Sequence, residues 1–172
     1  TKERVHSSIR ALNYHPNLSA RRLVRGRSDT VAMMAAFFSG SFEMEILNGV
    51  EEGMSCSSGY EGKAMSLFTT GGSDTRARAM MESILYGDSA DGLMLLSIVP
   101  PDDLVGAFRE RGRPLVVIEG KVLGACSITS DNEYGARMAT EHLLERGYRR
   151  IAIVNGHSSK DDPHRSAEER LT

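Results

Sequence analysis

The sequence predicts an α/β fold in which a parallel sheet is flanked by helices and preceded by a short helical segment. Along residues 29–172, short apolar runs alternate with longer segments whose apolar residues recur at helical spacing. The apolar runs are nearly continuous, as expected of strands that are covered on both faces of a parallel sheet. Hydrophobic residues make up 40% of the 172 residues, which is enough for a sizeable core.

Strand and helix segments follow one another regularly after residue 29. Strands are predicted at 31–38, 60–68, 92–97, 115–119, 126–129 and 150–154. Helices are predicted at 43–57, 73–86 and 101–112, and another begins at residue 163. Ser130 and Glu133 form a capping-box pattern that opens one more helix, which runs to Arg146 and is closed by Gly147.

The helix at 43–57 is predicted to carry its apolar residues on one face, and the helices at 73–86 and 101–112 are predicted to turn theirs inward. The residues on these faces are Met44, Leu47, Val50 and Met54 in the first helix, Ala77, Met80, Met81, Ile84 and Leu85 in the second, and Leu104, Val105 and Phe108 in the third.

The first 28 residues differ from the rest in charge. They hold seven Lys or Arg residues and one Glu, a net charge of +6, whereas the whole chain carries −2. A basic arm fused to an acidic body is expected of a protein that grips phosphate with one end and has another role at the other. A solvated basic tail is the alternative interpretation of the charge alone.

The arm is predicted to form two short helices. Apolar residues at positions 5, 9 and 12 recur at helical spacing, and the segment 13–16 ends this helix because Pro16 disfavours α backbone in the residue before it. Asn17 can cap a second helix at 18–24, which Gly26 closes.

Residues 14–28 resemble the end of the DNA-binding headpiece and the hinge helix of the LacI (lactose repressor) family of bacterial transcription factors. The matching residues are Tyr14, Pro16, Asn17, Ala20, Arg21, Leu23, Gly26, Arg27 and Ser28. Later matches include Leu47, Gly49, Gly59, Tyr60, Ala90, Asp91, Gly92, the segment 114–118, Asp131, Asn132, Gly135, His142, Gly147, Tyr148 and the segment 150–153.

The resemblance implies a fragment that lacks the start of the headpiece and the second effector subdomain of that family. Residues 1–16 would be the end of the helix-turn-helix headpiece, and residues 17–28 the hinge helix and linker. Residues 29–172 would form the N-terminal lobe of the effector-binding domain, with the fold of a periplasmic binding protein.

The family's function would be a cytoplasmic transcriptional regulator, in most cases a repressor, that binds operator DNA as a homodimer. The residues implied in DNA binding are Asn17, Ala20, Arg21, Arg22, Leu23, Arg25 and Arg27. The arginines would neutralise phosphates, and Leu23 would wedge between base pairs in the minor groove. Simple packing of Leu23 against the body is the alternative.

A small-molecule effector, a sugar or a nucleobase-like compound, is also implied. Ligands of open parallel sheets bind outside the carboxyl ends of the strands. Phe42 is the one aromatic left of a segment that usually follows the family's first strand, and Arg170 fits its cleft arginine. Asp131 matches a position near the ligand, although it can equally be only a helix-start residue.

The sequence gives no motif for catalysis, a metal or a cofactor. It contains no GxGxxG, Walker or HExxH pattern, and Cys56 and Cys126 lack metal-ligand spacing. These two cysteines suit a reduced, cytoplasmic protein, and no apolar run is long enough to span a membrane. The competing hypotheses are a periplasmic-type sugar-binding protein that shares the sensor fold and an enzyme of the doubly wound class, which only the fold supports.

Overall fold

The computed structural model describes residues 2–13, 26–60 and 63–154, and these include a five-stranded parallel sheet. Its strands are β1 (Thr30–Ala35), β2 (Ala64–Thr69), β3 (Gly92–Leu96), β4 (Leu115–Ile118) and β5 (Cys126–Ile128). Their order across the sheet is β2-β1-β3-β4-β5, so β1 pairs with β2 on one side and with β3 on the other. The predicted parallel α/β fold is confirmed.

The described helices are α1 (Lys2–Ala11), α2 (Ser41–Cys56), α3 (Asp74–Tyr86), α4 (Asp102–Glu110) and α5 (Asn132–Glu145). α3 illustrates how the sequence sets their ends. The Ser73 side chain accepts a hydrogen bond from the Arg76 N–H (3.3 Å), and the Gly87 N–H donates to the Ser83 carbonyl (3.0 Å). α1 confirms the first arm helix, while the predicted helix at 18–24 lies outside the described residues.

One face of the sheet is covered by α3 and α4. Ala32 and Met34 of β1 point to this face and join a buried cluster that also contains Leu93 and Leu95 of β3. The helices contribute Ala77, Met81, Ile84 and Leu85 from α3 and Leu104, Val105 and Phe108 from α4. The predicted inward faces of these two helices are confirmed, except that Met80 is only partly buried.

The opposite face carries a smaller cluster, and α2 lies against it. Met33, Ala35, Leu96 and Ile118 are buried there, and Leu47 is among the partly buried side chains that pack on them. No residue of α2 is buried, and Met44 is 41% exposed. Of the four apolar residues predicted to share one face of this helix, Leu47, Val50 and Met54 are partly buried and Met44 is exposed.

Two predicted strands need correction. The strand expected at 60–68 begins only at Ala64; the Lys63 N–H just before it donates to the Tyr60 carbonyl (3.0 Å), and residues 61–62 lie outside the described residues. Residues 150–154 form no strand, since none of the five described strands pairs with them, and Ile153 and Val154 are exposed. The helix predicted from residue 163 lies outside the described residues.

No helix in the described part of the chain has both the length and the apolar character needed to cross a membrane.

Candidate functional site

The strand order defines a crevice at the carboxyl edge of the sheet. From β1 the chain goes to β2 on one side and then crosses to β3 on the other, so the connections diverge between β1 and β3. Open α/β sheets bind ligands outside the carboxyl ends of the strands at such a point. The segments 36–40, 97–101, 119–125 and 129–131 follow β1, β3, β4 and β5 and emerge at this edge.

Two of these segments begin with a residue in the left-handed region. Ser97 has φ 51° directly after β3, and Glu119 has φ 56° directly after β4. The Ser97 N–H donates to the Ile118 carbonyl (2.9 Å), and the Glu119 N–H donates to the Ile128 carbonyl (2.7 Å). These bonds continue the sheet ladder and hold both residues in place. Non-glycine residues in this conformation concentrate at ligand-binding sites, where the surrounding structure offsets their strain.

The Glu119 side chain joins the ends of β4 and β5. Its Oε1 accepts hydrogen bonds from the Ser130 N–H (3.0 Å) and from the Ser130 hydroxyl (2.6 Å). Ser130 is therefore not the cap of α5, which corrects the predicted capping box. Asp131 is the N-cap instead, and its Oδ1 accepts from the Tyr134 N–H (2.9 Å).

A cleft of about 310 Å³ opens beside this cross-link. Its lining is polar and consists of Lys121, Thr129, Ser130, Asp131, Asn132 and Glu133. Hydroxyl, amide, carboxylate and ammonium groups are the donors and acceptors that orient a hydroxyl-rich small molecule. In the described ranges, no three His, Cys, Asp or Glu side chains come together in a way that could hold a metal ion.

The structure brings two of the three predicted effector residues to this edge. Phe42 lies in the first turn of α2, just beyond β1, and is 45% exposed. Asp131 follows β5, which is three strands away from β1 in the sheet, or about 14 Å at the usual spacing. Phe42 and Asp131 therefore lie on the same rim without being neighbours. Arg170 lies outside the described residues.

A second polar cluster lies at the opposite edge, where the arm joins the sheet. One carboxylate oxygen of Asp91 accepts from the Ser28 N–H (2.7 Å) and the Ser28 hydroxyl (2.9 Å), and the other accepts from the Asp29 N–H (2.9 Å). We call Ser28, Asp29 and Asp91 the arm junction. None of these three residues was predicted to have a role, and the only signal was that Ser28 and Asp91 are among the matches to the family motifs.

The arm junction changes the acidity of Asp91. Partial burial opposes the charged form, but the hydrogen bonds from Ser28 and Asp29 and the nearby Arg27 outweigh it, so the pKa of Asp91 lies below its ordinary value. Arg27 is exposed beside this carboxylate. The other predicted DNA-binding residues, Asn17, Ala20, Arg21, Arg22, Leu23 and Arg25, lie outside the described residues.

Comparison with known proteins gives consistent relatives, although no protein-family model matches the chain. The transcriptional regulator CelR of Thermobifida fusca is 34% identical over 166 residues, which cover 91% of this chain and 47% of that protein. The structure of a CelR–cellobiose complex is 30% identical with a TM-score of 0.63 and matches 98% of this chain and 49% of that chain. The structure of the lac repressor dimer bound to operator has a TM-score of 0.73 at 19% identity and matches 98% of this chain and 49% of that chain. At this identity the similarity shows the fold alone.

An open parallel sheet with helices on both faces and a polar crevice at its carboxyl edge defines a sensor lobe of the periplasmic-binding-protein type. The chain belongs to the LacI family of regulators. It spans about half the length of the curated relatives that it matches. The resemblance noted in residues 14–28 and in the later motifs is thereby confirmed as a family relationship.

Proposed function

We propose that this protein is a sequence-specific DNA-binding transcriptional regulator, acting as a repressor, whose DNA affinity is controlled by a small-molecule effector. The observation that carries the proposal is the basic arm, with a net charge of +6 over residues 1–28, joined through the arm junction to the paired strands β1 and β3 of a sensor lobe. The relative CelR is named as an HTH-type transcriptional regulator, and its similarity covers 91% of this chain. This supports a regulator over a periplasmic sugar-binding protein.

The arm would supply the contact with operator DNA in the cytoplasm. Arginine and lysine side chains neutralise phosphates and give affinity without sequence selection. Leu23 would add a wedge at a base step in the minor groove. α1 supports this assignment because its described side chains are exposed or only partly buried, and Val5 is 54% exposed, so the residues that the structure describes leave part of this helix uncovered.

The effector would be a sugar or a related hydroxyl-rich metabolite. The polar cleft beside Ser130 and Asp131, together with exposed Phe42 on the same rim, offers hydrogen-bonding groups and an aromatic surface. Small-molecule sites combine an apolar or aromatic surface with a few polar groups, and here the two lie three strands apart, so a single sugar ring would not contact both. The related CelR structure is a complex with cellobiose, which supports a sugar as the first class to test. We propose no catalytic role, metal or cofactor for this crevice.

The active form would be a homodimer joined through α2 and β2. Leu47, Met54, Met65 and Leu67 line a groove of about 490 Å³ on this surface, and Leu67 is 46% exposed. β2 is also the outermost strand on its side of the sheet. Exposed apolar side chains grouped on one face are typical of a protein interface. The lac repressor, which shares the fold, is a dimer in its operator complex.

The experiment uses the complete protein and an operator selected from random duplex DNA. Leu23→Ala should lower the affinity for the selected operator and reduce the DNA bend, because the wedge is lost. The salt dependence of DNA binding by this variant should change little, since the arginines proposed to contact phosphate remain. Arg22→Ala, the matched control in the same predicted helix, should weaken binding to all sequences and make the salt slope shallower by about one unit. Mobility shifts at several salt concentrations measure both variants.

The effector is tested by adding sugars, with cellobiose first, to the operator complex. Release of DNA at a defined sugar concentration would support a repressor that is induced by its ligand. Failure to select any sequence at physiological salt would overturn the regulator proposal. If Leu23→Ala left operator affinity and bending intact and lowered the melting temperature of the free protein, Leu23 would be a packing residue instead.

A further inference from the structure

The arm junction satisfies both oxygens of one carboxylate with three donors from two consecutive residues. Ser28 gives its N–H and its hydroxyl, and Asp29 gives its N–H, all to Asp91. Asp91 is 63 positions from Ser28 in sequence, so this is a tertiary contact. Hydrogen bonds to a charged acceptor are stronger than neutral ones, and three of them on one side chain form a rigid link.

The link holds an unusual backbone conformation. Asp29 has φ 51°, in the left-handed region that is uncommon for non-glycine residues and that Asp adopts more readily than most. On one side its N–H is held by Asp91 (2.9 Å), and on the other its carbonyl accepts from the Ala64 N–H (2.9 Å) at the start of β2. The chain therefore turns at Asp29 immediately before it enters β1.

Asp91 is itself anchored to the core. Its N–H donates to the Thr30 carbonyl (2.8 Å), and it directly precedes β3. The guanidinium of Arg113, just before β4, donates to the carbonyls of Ala90 and Ile84, the latter at 3.2 Å. The loop that carries Asp91 is thus tied to α3 and to the start of β4, so its carboxylate has a fixed position.

We propose that Asp91 is a positioning residue that sets the direction in which the basic arm leaves the sensor lobe. Its importance for DNA binding rests on the proposed function. An arm with a fixed exit is presented to DNA at a lower entropic cost than one that swings freely. Asp91 directly precedes β3 and Ser97 directly follows it at the crevice end, and the six residue steps between them span about 20 Å. One short strand therefore connects the two polar edges of the lobe.

The first test measures hydrogen exchange of the backbone amides in the complete protein. Asp91→Ala should raise the exchange rates of the Ser28 and Asp29 amides by about tenfold, because their acceptor is removed. Asp91→Asn keeps one carbonyl oxygen as an acceptor, so we expect the exchange rates of the Ser28 and Asp29 amides to rise by different amounts. Asp102→Asn is the matched control, since that carboxylate is exposed in the first turn of α4, which follows β3 at the edge of the sheet opposite the arm junction. It should leave both amides unchanged.

The second test measures affinity for the selected operator and for non-specific duplex DNA. Asp91→Ala should weaken operator binding by about tenfold and leave non-specific binding and its salt slope unchanged, because every arm arginine remains. If the Ser28 and Asp29 amides exchanged at unaltered rates in Asp91→Ala, the proposal that Asp91 holds these two residues would be overturned. Released amides with unaltered operator affinity would make Asp91 a structural residue only. If the unmodified protein bound no specific sequence, the regulator proposal would fail, whereas the exchange result would still report on the link.

Discussion

The two faces of the sheet are built differently, although the same strands form both. α3 and α4 bury seven side chains against one face, including Phe108 and Met81, each 1% exposed. α2 covers the other face without burying any of its residues. The first face is a completed core, and its role is to stabilise the lobe. The second face carries apolar surface that the described residues leave accessible, as in a protein that uses it for association.

The largest effect that would sharpen this comparison is expected from Phe108→Ala. Phe108 is buried in the cluster beneath α3 and α4, so its loss leaves a cavity and should reduce the free energy of unfolding by about 3–5 kcal/mol. Denaturant titration measures this loss. Phe108→Leu serves if the alanine variant does not fold, and it should show a smaller loss. A change below about 1 kcal/mol for Phe108→Ala would contradict the assignment of a completed core.

Leu67→Ala tests the other face. This side chain is 46% exposed on β2, so the free energy of unfolding of the monomer should change by no more than about 0.5 kcal/mol. Self-association of the complete protein should weaken, because apolar contact area is lost. Sedimentation equilibrium measures the dimer constant. Equal losses of monomer stability for Leu67→Ala and Phe108→Ala would remove the distinction between the faces.

The pH dependence of stability separates the arm junction from both faces. The pKa of Asp91 lies below its ordinary value of 3.8, so the carboxylate stabilises the fold above that pH. This contribution is lost as the pH falls through the lower pKa of the folded state. Because Asp91 accepts hydrogen bonds as a carboxylate, we expect its contribution to the free energy of unfolding to be about 1–2 kcal/mol at neutral pH. The stability difference between the unmodified protein and Asp91→Asn should therefore shrink below pH 3.8. A difference that stays constant from pH 7 to pH 3 would be inconsistent with an ionised Asp91.

The smallest effect is expected at the ion pair between α3 and α4. Arg78 donates to Asp103 (3.2 Å at one oxygen) and also contacts Glu82 (3.0 Å), and the hydrogen bond from Arg78 lowers the pKa of Asp103. These side chains are exposed, so solvent and salt screen the interaction. Asp103→Asn should leave the thermal midpoint at physiological salt almost unchanged. A clear destabilisation would mean that this pair, and not only apolar packing, fixes α4 on its face.

Local patterns predicted most of the elements, whereas contacts between distant residues decided the corrections. Ser73 was correctly expected to start α3, because its bond to Arg76 is local. Ser130 had the same local pattern, but its hydroxyl is bonded to Glu119 of the neighbouring segment, and Asp131 became the cap. The segment 150–154 has strand-like apolar residues, and pairing, which its own sequence does not encode, decides whether it becomes a strand.

The candidate site was predictable only in outline. The carboxyl edge followed from the predicted parallel sheet, and Phe42 and Asp131 do lie along it. Whether either residue contacts an effector stays a prediction. The role of Asp91 was not accessible to sequence reasoning, because its partners Ser28 and Asp29 are more than sixty positions away and their backbone N–H groups leave no mark in the sequence.

The position of β1 between β2 and β3 has a consequence for the order of folding. Thr30 pairs with Ala64, and Val31 pairs with Gly92, so every neighbour of β1 is synthesised tens of residues after it. Sheets with such distant pairings fold slowly. On the ribosome, α1 can form from local contacts alone, while β1 waits for β2 and β3 to emerge. The arm is therefore attached to a chain that has no fixed support until Asp91 has left the ribosome.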